Sequence, residues 1–241
     1  MKIGWLIAVL LCSRLVLGQD FKQQQLRYER ARTAFDEKWR DLSKLLDSKG
    51  VNPNKFKLFI RVFKAEQRLE TWVTDFENEH FVLLKTYKIA ASSGELGPKR
   101  KQGDYQVPEG FYHIDRYNPT SSFYLSLGVN YPNESDRILG KKNLGGDIFI
   151  HGSDVTIGCV PLTDDKIKEV YALSVQAKNG GQTKVYVHIF PFELTSENIE
   201  KYKNNSYYQF WKSIEKGYIY FNQEKKLPVV GISKTGEYFY R

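Results

Sequence analysis

The sequence predicts an α+β fold, with a β-rich body, an N-terminal helix and a C-terminal extension of helix and short strands. Three observations carry that prediction. Apolar residues recur at helical spacing over residues 21–49, a period of two takes over from Lys57 and returns in short runs as far as residue 190, and helical patterns reappear after Thr163 and after Ser196. In 241 residues, 41% hydrophobic and 15% aromatic, one sizeable core can form, and no internal repeat or low-complexity tract divides the chain.

The first 18 residues read as an export leader. Lys2 precedes an apolar run from Ile3 to Leu11, and Gly18 supplies the small residue before a cut. A membrane anchor needs roughly 18 or more uninterrupted apolar residues, and Arg14 interrupts this run. The expected location is therefore the periplasm or cell envelope. In the following segment, residues 19–55, Tyr28, Phe35 and Leu42 together with Ala31, Trp39 and Leu46 fall on one helix face, and Gly50 and Pro53 end it.

The body, residues 56–190, opens with Leu58, Ile60 and Val62 alternating against Phe59, Arg61 and Phe63. Strand patterns follow at residues 69–73, 81–91, 111–117, 123–129, 147–151 and 185–190. Residues 92–104 hold Gly94, Gly97, Pro98 and Gly103 and form a long loop, a feature that in compact domains is often functional. Thr163 with Asp164 and Asp165 starts a helix whose face is Ile167, Val170, Tyr171 and Ser174. In the extension, residues 191–241, a helix is expected over 196–216 and short strands over 218–240.

The formal net charge is +8, falling to about +6 when Lys2 and Arg14 leave with the leader. The excess is dispersed, with its densest run at Lys99, Arg100 and Lys101, so it forms no basic stripe and nucleic acid is not an expected partner. Those lysine and arginine side chains are candidates for holding carboxylates, with an ordinary solvated loop as the competing role. Cys12 leaves with the leader, so Cys159 is the single remaining thiol and no internal disulfide can form. A lone thiol in an oxidising compartment calls for a reason. His80, His113, His151 and His188 lack metal-ligand spacing, and neither a metal nor another cofactor is expected.

The chemistry concentrates between Asp147 and Thr163. His151 ends a strand, and eight residues later Cys159 follows Gly158 just ahead of a helix. An imidazole close to a thiol makes a base and a nucleophile. Gly158 permits close approach of substrate, and the main-chain N–H groups of Gly158 and Cys159 are candidate donors to a developing oxyanion. A buried core cysteine is the competing reading.

His151-Gly152-Ser153 followed by Ile157-Gly158-Cys159 resembles the catalytic segment of the L,D-transpeptidase (YkuD) family. So do the upstream runs from Ser92 to Lys99 and from Gly103 to Tyr112, and Asn130-Tyr131-Pro132-Asn133. The likeness covers roughly residues 56–190 and is greatest to the YafK-like branch. It implies a β-sandwich-like domain in which Cys159 attacks a carbonyl of a peptidoglycan stem peptide, at a diaminopimelate residue. His151 would serve as base and then acid, with its ring oriented by the main chain of Gly152 or Ser153. Tyr112 and Tyr131 are candidates for the donor groove, with aromatic core packing the competing role. The thioester would pass to an amine, in crosslinking or attachment to the amine of a wall-attached protein, or to water, as in an L,D-endopeptidase or amidase that hydrolyses the same bond or releases wall-attached protein. Ile157 stands where the main family has a second histidine, and Pro161 stands where it has a polar or basic residue. Both departures bear on the choice between amine and water.

Overall fold

The computed structural model describes residues 16–241, with side chains from Phe21 onward. The leader reading rests on residues 1–15, which lie outside the described residues, and on the start of the first helix. Among the described residues no helix is long and apolar enough to cross a membrane.

In chain order the elements are α1 (Val16–Leu26), α2 (Glu29–Ser48), β1 (Phe56–Phe63), β2 (Arg68–Asp75), β3 (Val82–Lys88), β4 (Gly110–Asn118), β5 (Ser126–Val129), α3 (Glu134–Leu139), β6 (Ile148–His151), β7 (Val160–Pro161), α4 (Asp164–Asn179), β8 (Tyr186–Phe190), α5 (Ser196–Lys201), α6 (Tyr208–Glu224), β9 (Val230–Ile232) and β10 (Tyr238–Tyr240). Strands β1–β8 form one sheet in the order β3-β2-β1-β8-β4-β5-β6-β7, and β9 and β10 make a separate hairpin. The α+β class expected from sequence is the one found. Its sheet is continuous through β4, whose first residues pair with β8 and whose later residues pair with β5 across a register shift between Ile114 and Arg116.

Both faces of the β1 region are covered, and its sequence says why. Leu58, Ile60 and Val62 join the main core with α2 and α4, while Phe59, Arg61 and Phe63 face the other way. There Phe59 and Phe63 meet residues of α6, including Tyr218 and Phe221. An apolar residue at nearly every position is what a strand buried on both sides requires. Arg61 survives there because its guanidinium lies among Phe63, Trp72, Tyr218 and Phe221 and donates to Asn222 Oδ1 at 2.9 Å.

Two segments differ from expectation. The single N-terminal helix is two, broken where Tyr28 takes an extended conformation, so Tyr28 is exposed whereas Ala31, Phe35, Leu42 and Leu46 are buried. In the extension the helix expected over 196–216 is two, α5 and α6, separated at residues 202–207, and α6 runs on through Tyr218 to Glu224 in place of the expected strand. Trp211, Ile214, Tyr218 and Phe221 are spaced three or four residues apart, so one helical stripe buries all four against the sheet.

Candidate active site

Strands β6 and β7 lie parallel at the edge of the sheet, pairing Ile150 with Val160 and His151 with Pro161. Ile148, Ile150 and Val160 point into the main core. Side chains alternate along a strand, so Phe149 and His151 share the opposite face of β6. Cys159 immediately precedes β7, and continuing the β6–β7 register by one residue sets it opposite Phe149, two residues from His151. Strand spacing of about 4.8 Å and a rise of about 3.3 Å per residue set that separation.

His151 is buried, and its Nδ1 donates to the Gly152 carbonyl. That bond fixes the tautomer and leaves Nε2 as the basic nitrogen. Phe123 packs on the imidazole at 4.6 Å between ring centroids. Burial lowers the His151 pKa, with the Gly152 carbonyl pulling the other way. Of the two residues expected to orient the ring, Gly152 makes the contact. Ser153 does something else: its N–H donates to Asp164 Oδ1 at 2.8 Å and its carbonyl accepts from Thr163 N at 2.9 Å, tying the loop to the start of α4. A side chain at position 152 has no room, because a Cβ there would lie 2.6 Å from Asp164 Oδ1 and 2.7 Å from the Phe123 carbonyl.

The Cys159 thiol receives the Phe149 N–H at 3.4 Å and lies 3.6 Å from the Asp147 carbonyl. It makes no hydrogen bond to His151 in this structure. Burial raises its pKa; the Phe149 N–H and the Lys99 charge oppose that rise, and the Asp147 carboxylate adds to it. One group is pushed up and the other down, so thiol and imidazole are both neutral near pH 7.

Thr156 is the residue that sequence reading missed. Its hydroxyl oxygen accepts the N–H groups of both Cys159, at 2.8 Å, and Gly158, at 3.2 Å, and its own proton goes to the Cys159 carbonyl at 2.9 Å. The two amides proposed as oxyanion donors therefore converge on a single oxygen. Gly158 has φ +133°, a conformation that favours glycine, and a Cβ there would approach the Gln106 carbonyl to 3.1 Å. A threonine three residues before a cysteine is the only sequence signal for this arrangement.

The other candidates are tied into the fold. Lys99 is 5% exposed, and its ammonium donates to Asp104 Oδ1 at 2.6 Å and to the Lys101 carbonyl at 2.9 Å. Arg100 donates to Asp136 Oδ1 at 2.8 Å and lies over the Phe210 ring. Tyr112 is buried with its hydroxyl on Asp136 Oδ2 at 2.9 Å, and Tyr131 is buried with its hydroxyl 3.3 Å from the Leu144 carbonyl. Asp136 is the hub of this group, and burial raises its pKa to about 6 against the pull of Arg100. The structure places Lys64, Gln67, Ser92 and Ser93 around a small cavity beside Cys159, of about 30 Å³. Among the described residues no cluster of three or more His, Cys, Asp or Glu side chains could hold a metal.

Cys159 and the buried His151 thus lie close together at the β7 edge of the sheet, with main-chain N–H groups beside the thiol. Residues 57–187 match the profile of the YkuD family, the L,D-transpeptidase catalytic domain, and the chain belongs to that family. It is 38% identical over 177 residues, 73% of this chain and 70% of the relative, to the protein named "Putative L,D-transpeptidase YafK" in Escherichia coli K12, and equally so to its counterpart in strain O157:H7. Among solved structures it resembles a K307A mutant of the helical cell shape determining protein Pgp2 of Campylobacter jejuni, at 25% identity and a TM-score of 0.46, over 58% of this chain and 49% of that one. It also resembles Bd1075 of Bdellovibrio bacteriovorus, at 19% identity and a TM-score of 0.42, over 73% and 77% of the two chains.

Proposed function

We propose that the chain is an exported L,D-transpeptidase that forms a thioester at Cys159 with a peptidoglycan stem peptide. The observation that carries this reading is the placement of Cys159 immediately before β7, beside the strand β6 that ends at His151, with His151 Nδ1 already committed to Gly152 so that Nε2 is the nitrogen left to act.

In the first half-reaction a turn about the Cys159 Cα–Cβ bond brings Sγ from the Phe149 N–H towards Nε2. The thiol proton moves to Nε2 as Sγ bonds to the diaminopimelate carbonyl carbon. The carbonyl oxygen takes the negative charge, held by the Gly158 and Cys159 N–H groups once it replaces the Thr156 hydroxyl on them. When the C–N bond breaks, imidazolium returns its proton to the departing amine nitrogen of D-alanine. In the second half-reaction an incoming amine loses a proton to Nε2, bonds to the thioester carbon and releases Cys159 as the thiol. Because the resting pair is neutral, His151 acts as a true general base.

Water is the competing acceptor, and one observation favours giving it weight. Asp154, Val155 and Ile157 are exposed on the loop beside the thiol, with Ile157 76% exposed, so this side of the site is open to solvent. Retaining an acyl-enzyme for an amine depends on positioning that amine and limiting water. Incubating the protein with tetrapeptide and dimeric muropeptides, and identifying products by mass, tests both readings. Crosslinked or amine-exchanged product supports transfer and tripeptide supports hydrolysis. Recovery of unchanged substrate from a folded protein contradicts both.

A further inference from the structure

A second cavity, of about 370 Å³, lies away from Cys159 and shares no lining residue with the cavity beside it. Its floor is a patch of four rings on β4 and β8, where Phe111 pairs with His188 and His113 with Tyr186. The segment 227–232 and Tyr238 from the C-terminal extension wall it in. Val229, 64% exposed, and Tyr186 stand at its mouth.

His188 is what makes this more than an apolar gap. It is 3% exposed, and Phe59 and Phe111 meet its ring edge-on at 4.5 and 4.6 Å. Its Nδ1 is buried without a hydrogen-bond partner. A buried polar atom left unpaired is unfavourable, so a ligand that supplies the partner gains from it. Burial and the neighbouring Arg61 charge keep this imidazole neutral, and burial together with Lys184 acts in the same direction on His113 despite Asp115.

The lining restricts the ligand. No acid or permanent cation lines the cavity, so nothing there pairs with a charged group, and Arg61 and Lys184 nearby disfavour a cation. A hydrocarbon would leave His188 unpaired. An uncharged ring with hydroxyl or amide groups fits, because its C–H face packs on Phe111 and Tyr186 while a hydroxyl donates to or accepts from the imidazole. The volume lies at the low end of the roughly 300–1,000 Å³ typical of small-molecule sites, which suits one or two rings.

We propose that this cavity is a saccharide subsite that holds an N-acetylated sugar of the glycan strand away from the reacting thiol. The choice of an amino sugar among hydroxylated rings rests on the reading of the substrate as peptidoglycan. The site would anchor the polymer while its stem peptide reaches Cys159, which gives the C-terminal extension a role in substrate capture.

The test uses the full chain with isotope-labelled histidine and an N-acetylglucosamine trimer, which carries no stem peptide and so offers Cys159 nothing to attack. Titration is expected to shift the His188 and His113 ring resonances saturably and to leave His151 in place. His188→Phe, which keeps the ring and removes the nitrogens, and Val229→Trp, which fills the mouth from the surface, should each weaken binding about three- to tenfold. Turnover of an isolated stem peptide should be unchanged in both variants. No movement of His188 on titration would overturn the proposal, as would undiminished binding by Val229→Trp, or a shift of His188 by a fatty acid but not by the sugar. Sugar binding by a protein that turns over no stem peptide would count against the catalytic reading and leave this one standing.

Discussion

Two loops flank the same thiol and are held in opposite ways. Residues 92–104 contribute Ser92 and Ser93 to the Cys159 cavity, and two of their three consecutive basic residues are held in ion pairs, Lys99 by Asp104 and Arg100 by Asp136 of α3. Residues 152–158 carry no internal ion pair. They are held by the Asp164 carboxylate on Ser153 N and by Thr156 on two amides, while Val155 and Ile157 stand exposed. In the first loop the Lys99 and Arg100 charges serve the fold. The second keeps its polar groups near the thiol in local bonds, which under the proposed mechanism a substrate oxygen replaces. The difference teaches that charge density did not mark the reactive loop here; the arrangement of main-chain donors did.

The comparison breaks most completely if chemistry survives without the thiol. Cys159→Ala is expected to lower stem-peptide turnover by at least about three orders of magnitude, with an unchanged melting temperature, as measured by product mass and thermal unfolding. Turnover near wild type in pure protein would remove the site from Cys159.

His151→Ala should cost about 10²–10⁴-fold at neutral pH. The pH profile gives the sign. His151 must be neutral to accept a proton, and burial lowers its pKa, so wild-type acylation should hold as pH falls to its ordinary 6.5 and decline only below that. The variant has no base and depends on free thiolate; burial raises the Cys159 pKa, so its rate should climb only at alkaline pH. A variant profile superimposing on wild type would point to another base.

Between the loops, Arg100→Ala should act on stability more than on chemistry. It strands the buried Asp136 carboxylate, and breaking such a pair costs about 3 kcal/mol, visible in denaturant unfolding. Lys101→Ala is the exposed control and should be silent. Equal loss of turnover with full stability in both variants would restore this run as a substrate-binding element.

The smallest effect sharpens the picture of the reactive loop. Thr156→Val removes the oxygen shared by two amides and should slow acylation about tenfold, because unpaired donors near the thiol let the loop relax. Thr156→Ser keeps the oxygen and should recover most of the rate. If valine equals wild type while serine is slower, the hydroxyl does not position the nucleophile.

Much of this was legible in the sequence because local pattern and local chemistry agreed. Leu58, Ile60 and Val62 set β1, Ile167, Val170 and Tyr171 set the buried face of α4, and His151 and Cys159 stood out by residue type in a short segment. What was not legible depends on distant partners. Lys99, Arg100 and Lys101 read as one charge run until Asp136, thirty-six residues beyond Arg100, is folded beneath it. In the structure that carboxylate also closes a capping box with Asn133 at the start of α3. The end of α6 at Glu224 was hidden because Tyr218 and Phe221 suit strands as well as helices, and packing on Phe59 and Phe63 decides between them. β7, two residues long, is too short to leave a periodic signature at all.

The central claim is a covalent acyl-enzyme at Cys159, made by His151 from a neutral thiol. The most direct measurement is the intact mass of the protein quenched in acid during turnover of a tetrapeptide stem, with the modified peptide located by digestion. The account predicts an adduct with the mass of the tripeptide acyl group on Cys159. That adduct should be absent in Cys159→Ala, formed much more slowly in His151→Ala at neutral pH, and released by added amine or hydroxylamine. Turnover with no adduct at Cys159 under any quench, or an adduct formed equally fast without His151, would contradict it.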